Sequence, residues 1–182
     1  MNKIIAVVGQ AGSGKDTAAN YIADKYKFKH ISTADILRDY IISHNLGNLT
    51  RENMSRNIEI LRKEKGNDVL VKMALANNPK GNIVLSALRH PDESNLVISN
   101  GGMLIDVYAD LNSRYDRNLA RHREGDEIKK SDFKKIEMRE NSGSGFDISK
   151  VEKQAKYRVE NNGSYDDFYA QIDLIMKDIL KS

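Results

Sequence analysis

The residues Gly9-Gln10-Ala11-Gly12-Ser13-Gly14-Lys15-Asp16-Thr17 have the types and spacing to hold phosphate groups. Glycines at these intervals let a backbone turn tightly and aim successive N–H groups at anionic oxygens, and Lys15 adds a point charge. The residue after such a lysine is commonly Ser or Thr, whose hydroxyl reaches Mg²⁺. Here it is Asp16, with Thr17 behind it. A carboxylate beside phosphates is repelled unless a cation or donor intervenes. Asp16 is therefore expected either to meet Mg²⁺, directly or through water, or to turn toward the amides of the helix it opens.

A second group of residues that could do chemistry is made of arginines. Arg89 closes a short apolar run, Asn82 to Leu85, at what is the ligand edge of an open α/β sheet if that run is a strand. Arg114, Arg117, Arg121 and Arg123 fall in one helical stretch from Asp110 to Arg123, with Arg117 and Arg121 on one face. Such a stretch is either a solvated basic face or, near a phosphate loop, a clamp for a transferring phosphoryl group. The polar segment from Glu124 to Lys130 has the composition of a small lid, and Arg139 sits in the charged helix expected from Ser131 to Asn141. The Gly143-Ser144-Gly145 break is too short for a domain linker.

The elements that must position these groups alternate. The run Ile4 to Val8 reads as a buried parallel strand, and Ala19, Ile22, Ala23 and Tyr26 recur at helical spacing after the loop, so a positive helix end faces the bound anion. Lys29 to Ser32, Asn82 to Leu85, Met103 to Tyr108 and Lys156 to Glu160 are further short strands. Helices are expected from about Thr33, which is suited to cap the first of them, from Thr50, over Val69 to Ala76, from Pro91, and over the closing stretch carrying Phe168, Ile172, Ile175, Met176 and Ile179. Residues 32–66 form a helical insertion able to fold over a substrate. The alternation predicts an α/β, three-layer fold with a parallel five-stranded sheet flanked by helices.

At 182 residues, 40% hydrophobic and 30% charged, the chain suits a single domain over residues 1–182, with a lid region at 122–140. A net charge of +3 is too mild to predict nucleic acid or membrane as the main partner. The absence of cysteine excludes disulfides, structural Cys-zinc sites and thiol catalysis, and fits a cytoplasmic protein. His30, His44, His90 and His122 show no metal-ligand spacing and read as ordinary surface or core residues.

These motifs give the chain a resemblance, running over almost all of its length, to nucleoside monophosphate kinases of the adenylate-kinase-like P-loop superfamily. Gly9 to Thr17 is similar to that family's phosphate loop. His30-Ile31-Ser32-Thr33-Ala34-Asp35-Ile36-Leu37-Arg38 closely resembles its acceptor segment, with Ala34 where glycine is usual. The resemblance implies that Thr33 and Arg38 hold the acceptor monophosphate, that Asp35 supports the water shell of a metal, and that Arg89 grips the acceptor phosphate. It departs at Ser86-Ala87, where an Asp-Gly pair is usual; a carboxylate expected near Mg²⁺ is gone, and Asp16 becomes the substitute. Asp116-Arg117 with Arg121 is similar to the family's donor-side arginines, and Arg123 and Arg139 resemble its lid-flanking pair. Asn161-Asn162-Gly163-Ser164 resembles dephospho-coenzyme A kinases and archaeal adenylate-kinase-like proteins, and adds Asn162 and Gly163 to the nucleotide-binding residues.

The implied activity is transfer of a phosphoryl group from ATP, with Mg²⁺, to a nucleoside or deoxynucleoside monophosphate. In that scheme Lys15, Arg117, Arg121, Arg123 and Arg139 neutralise the transferring group. Two other readings stay open: a dephospho-coenzyme A kinase, and an assembly or regulatory ATPase that passes the phosphoryl group to water.

Overall fold

The computed structural model describes residues 2–78, 80–121, 128–141 and 146–181. Strand β1 (Ile4–Val8) is the centre of a five-stranded parallel sheet ordered β2-β3-β1-β4-β5, with β2 at Lys29–Ser32, β3 at Ile83–Ser86, β4 at Met103–Tyr108 and β5 at Tyr157–Glu160. Its register sets Val7 beside Ser86 on one flank and Val8 beside Asp106 on the other. Loops leaving β1, β3 and β4 therefore emerge at one sheet edge.

Alternation along β1 explains the three layers. Ile5 and Val7 face the layer made by α1 (Lys15–Tyr26) and α9 (Tyr165–Lys181), where Ala18, Ala19, Ile22, Phe168, Ile172 and Met176 are buried. Ala6 and Val8 face α4 (Val69–Ala76), α5 (Pro91–Ser99) and α8 (Ile148–Lys153), meeting Val71, Val97 and Val151. A strand covered on both faces has no polar side to show, hence its unbroken apolar sequence.

A third cluster, Leu37, Ile41, Ile58, Leu61, Val69 and Leu70, holds α2 (Thr33–Ser43) and α3 (Arg51–Lys65) against α4. The insertion thus has a small core of its own. Thr50 caps α3 by accepting from the Asn53 amide, as its sequence position predicts. Thr33 does not cap α2. It is the first helical residue, and its hydroxyl donates instead to the carbonyls of Ala87 (2.9 Å) and Ser86 (3.3 Å), tying the insertion to the end of β3. Helix α6 (Leu111–Ala120) is capped by Asp110 and ends before Arg121, so the arginine run is shorter than one continuous helix to Arg123. Helix α7 (Lys130–Glu140) carries Arg139, and α8 had no counterpart in the sequence pattern. Among the described residues no helix is long and apolar enough to cross a membrane.

Asp106 is the one strand carboxylate buried in the sheet's central part. One of its oxygens has no hydrogen-bond partner among the described residues, and the nearest guanidinium nitrogen, on Arg158, is 3.9 Å away. Burial, reinforced by the nearby Glu152 carboxylate, pushes its pKa up to about 6. The folded protein therefore carries no penalty from Asp106 where the group is protonated in both states, and the full penalty once pH exceeds its folded value. Asp106→Asn is expected to stabilise by about 1–2 kcal/mol at pH 8, a gain that vanishes toward about pH 4. Thermal melts across that range check both the sign and the window.

Candidate nucleotide-binding site

Gly9 to Gly14 wraps the space above the C-terminal end of β1, and the outward carbonyls of the loop are taken up by neighbours. The Gln10 carbonyl accepts from the Ser13 amide at 3.2 Å and from Lys15 Nζ at 3.5 Å. The Ala11 carbonyl accepts from Arg114 Nη1 (3.3 Å), that of Gly12 from Arg117 Nη1 (3.5 Å), and that of Ser13 from Asn161 Nδ2 (2.7 Å). The Gly14 carbonyl accepts the Ala18 amide and begins α1. With the carbonyls held on that side, successive N–H groups are left for an anion.

Two glycines are required by these close approaches. Gly12 has φ of +77°, and a Cβ there would lie 2.5 Å from the Arg114 carbonyl oxygen. At Gly14, φ is +98°, and a Cβ would collide with the amide of Asn161. Both conformations are ones that glycine adopts without steric cost.

The resulting cleft, about 230 Å³, is lined by Gly12, Gly14, Lys15, Asp16, Thr17 and Arg121. A larger hollow of about 480 Å³ lies between α1 and α9, lined by Thr17, Asn20, Tyr21, Asp24, Lys25 and Tyr169. It contains none of the loop glycines or site arginines, and its Lys25 is paired with Asp173 at 2.7 Å, so of the two it is the smaller cleft that adjoins the loop. Desolvation draws the Lys15 ammonium below the ordinary lysine range; Asp16 and Glu140 oppose the shift, while Arg89 and Arg121 reinforce it. These groups come from α1, α6, α7 and the end of β3, and they act on one another across the site.

The residues expected to meet an acceptor lie around β3 and α2. Arg89 follows β3; its backbone N–H donates to Glu93 at 2.8 Å, its Nη1 donates to Glu140 at 2.8 Å, and its guanidinium lies 5.3 Å from the Phe146 ring centre. Asp35 and Arg38 are partly exposed and pair with each other one helical turn apart. Arg121, at the C-cap of α6, donates to the Asn118 side chain. Arg139 lies on the exposed side of α7, whereas the buried face carries Phe133, Glu137 and Glu140. Arg123 and most of the expected lid lie outside the described residues. Asn162 Oδ1 accepts the Asp110 amide at 2.9 Å, and Gly163 follows it in the turn before α9.

Several residues of the site escaped sequence reasoning. Asn161, adjacent to the expected Asn162, is the buried one and holds the Ser13 carbonyl. Arg114, expected on a solvated basic face or in a phosphoryl clamp, is instead buried and bridges the loop, the Ala109 carbonyl and Glu137. Gln10, expected in the loop, turns its side chain away to Asn141 (3.0 Å) and Glu152 (3.3 Å). His30, partly buried, has its ring between Asn20 Oδ1 (2.7 Å) and Ser86 Oγ (2.9 Å), within the fields of Asp16 and Asp35. Burial lowers its pKa, and those two carboxylates oppose the shift. The other two described histidines are structural; His90 caps α5 and His44 stacks on Tyr40.

The missing β3 carboxylate is thus replaced by a Ser86–His30 pair beside Asp16. Among the described residues no group of three His, Cys, Asp or Glu side chains could hold a metal by itself. Asp16 and Thr17 do supply hard oxygen donors at the cleft, which suits a Mg²⁺ that takes its other ligands from phosphates and water.

Sheet order, phosphate loop and helical insertion define a kinase-like α/β protein of the nucleotide kinase-like P-loop superfamily. The chain belongs to the AAA domain family, whose model matches residues 8–99, half of its length. It is 28% identical over 186 residues to a UPF0200 protein of Methanococcus maripaludis, covering 99% of both chains. It is 54% identical over 37 residues, 20% of its length and 17% of the relative's, to an adenylate kinase of Methanothrix thermoacetophila. Its fold matches shikimate kinase from Acinetobacter baumannii, solved in complex with shikimate, with a TM-score of 0.61 at 13% identity, over 100% of this chain and 94% of that one.

Removing the Asn161 side chain leaves the buried Ser13 carbonyl unpaired. Asn161→Ala is expected to cost about 1–3 kcal/mol of stability and to weaken binding of a fluorescent ATP analogue at least about tenfold, measured at a temperature where the variant stays folded. An unchanged affinity would mean that the loop holds its shape without this brace.

Proposed function

We propose that the protein is an ATP-dependent phosphotransferase whose acceptor is a nucleoside or deoxynucleoside monophosphate. The observation that supports the reading is the convergence of cations on the phosphate loop: Lys15 and Arg121 line the cleft, and Arg89, from the end of β3, is close enough to act on the Lys15 charge. An enzyme of this kind needs no protein nucleophile. The transition state is loose, with charge spread over nonbridging oxygens, so the protein supplies alignment and positive charge. The local likeness to an adenylate kinase and the Thr33-to-Arg38 segment support a monophosphate acceptor.

In this reading the loop amides and Lys15 bind the β and γ phosphates of ATP. Arg117 fixes the loop to the turn before α9, donating to the Asn161 carbonyl at 2.7 Å as well as to Gly12, while Asn162 and Gly163 border the nucleoside. Arg89 and Arg38 orient the acceptor phosphate, and Arg38 is released for this from its pairing with Asp35. Thr33 holds the Ser86-Ala87 turn in place, where Ala87 keeps a φ of +64°. Arg121, with Arg139 of α7, neutralises the transferring group, a role the resemblance also gives to Arg123, outside the described residues. Asp16, Thr17 and Asp35 would hold a hydrated Mg²⁺, which supplies charge neutralisation between the donor phosphates.

Arg121→Ala is expected to lower kcat by roughly 10³ to 10⁵ with a smaller change in nucleotide KM, as for an arginine acting mainly in the transition state. A change confined to KM would assign it to ground-state binding instead. Identity of the acceptor is checked by ADP release and product mass with ATP, Mg²⁺ and a panel of ribo- and deoxynucleoside monophosphates plus dephospho-coenzyme A. A diphosphate product in step with ADP is expected. Coenzyme A as product would make the protein a dephospho-coenzyme A kinase, and ATP turnover indifferent to every acceptor would make it an ATPase.

A further inference from the structure

We infer that Glu140 is a resident counter-anion for the acceptor arginine and sets the charge an acceptor must bring; this rests on the reading of Arg89 as a ligand of the acceptor phosphate. Glu140 closes α7, and its side chain is 11% exposed. Its Oε1 accepts from Arg89 Nη1 at 2.8 Å and stands 3.7 Å from Arg51 Nη2. Its field also reaches Lys15. Cations from the end of β3, from α3 and from α1 thus face one carboxylate delivered by a fourth element.

The other carboxylate near Arg89 is already engaged. Glu93 accepts from the backbone amides of Arg89 and His90 and from the buried Arg62. It serves as a cap and a buried partner, and Glu140 answers the Arg89 guanidinium. Phe146 lies over a neighbouring pair of guanidiniums, 5.2 Å from that of Arg62 and 5.3 Å from that of Arg89, which keeps water from one side of the contact.

A phosphate gripped by Arg89 must share the guanidinium with Glu140 or displace it. Two anions on one guanidinium repel each other, and the low exposure weakens the screening that would relieve them. A phosphate dianion gains more from Arg89, Arg51 and Lys15 than a carboxylate does, so it displaces Glu140. A monoanion only exchanges one charge for an equal one. Glu140 thereby biases the site toward phosphorylated acceptors and against acidic ones.

Displacement also has a route back to the donor. Asn141, the residue after Glu140, receives the Gln10 side chain from the phosphate loop. Releasing Glu140 frees the end of α7 from Arg89 and Arg51 and changes the support of that loop. Acceptor occupancy is in this way transmitted to the nucleotide side.

The test is calorimetric titration of inorganic phosphate into the unmodified protein, Glu140→Gln, and the double variant Glu140→Gln with Arg89→Gln. Phosphate is expected to bind about tenfold more tightly to Glu140→Gln, with the gain lost in the double variant because it runs through Arg89. Equal or weaker binding to Glu140→Gln, or a gain that survives without Arg89, overturns the inference. Amide hydrogen exchange on the unmodified protein covers the case in which the variants do not fold. Saturating phosphate should speed exchange at the C-terminal end of α7 and equimolar acetate should not; slower exchange with phosphate, or the same response to both, overturns it as well. Transfer to a monophosphate without the tenfold gain would defeat this inference alone, whereas the gain without transfer to any acceptor would defeat the kinase reading and leave Glu140 as the counter-anion of an anion site.

Discussion

A peptide loop that offers its N–H groups to phosphate must dispose of its carbonyls elsewhere, because both ends of each peptide dipole cannot face the same anion. In this protein the requirement is met one carbonyl at a time by Lys15, Arg114, Arg117 and Asn161. The two guanidiniums come from α6 after β4, and the amide comes from the end of β5. The loop after β1 is therefore shaped by elements about a hundred residues or more further along the chain, which the parallel sheet order brings beside it. The neutral amide of Asn161 suits the tightest of these approaches, against Gly14, where no side chain has room.

Charge is the second organising quantity. Two guanidiniums and two carboxylates act on Lys15, and burial already disfavours its charged form, so each carboxylate has a task. Asp16 is the largest influence holding the Lys15 charge in place. Glu140 occupies Arg89. At the end of β3, Ser86 pairs with His30 where the resemblance implied a strand carboxylate, and the carboxylate at the cleft is Asp16 in the first turn of α1. The insertion is less tightly built: the Asp35–Arg38 pair lies on its surface, where solvent screening keeps such pairs weak and exchangeable.

Much of this architecture was legible in the residues. Ile4 to Val8 could only be a strand covered on both sides, the glycine spacing before Lys15 announced its loop, and helices open at the Thr50 cap and at Pro91 where expected. Helix α8 was not legible, because six residues with two buried positions, Ile148 and Val151, carry too little periodicity to separate from a loop. The role of Thr33 was misread for a related reason. A threonine at a helix start has a local partner available, and only the approach of β3 offers its hydroxyl two carbonyls instead.

The sequence by itself determined the class of chemistry, since a phosphate loop is a local object whose strand, turn and helix are contiguous, and hydrophobic period reports the layers that enclose it. What the tertiary structure alone decided is which polar residues belong to the site and which brace it. Arg114 and Arg117 are three apart on one helix and similar on paper, yet one is buried between Ala11 and Glu137 and the other reaches the Asn161 carbonyl. Asn161 and Asn162 are neighbours, yet one faces the loop and the other the Asp110 amide. Those distinctions depend on contacts between segments far apart in the chain, and side-chain direction at such contacts is set by packing against partners that local sequence does not name.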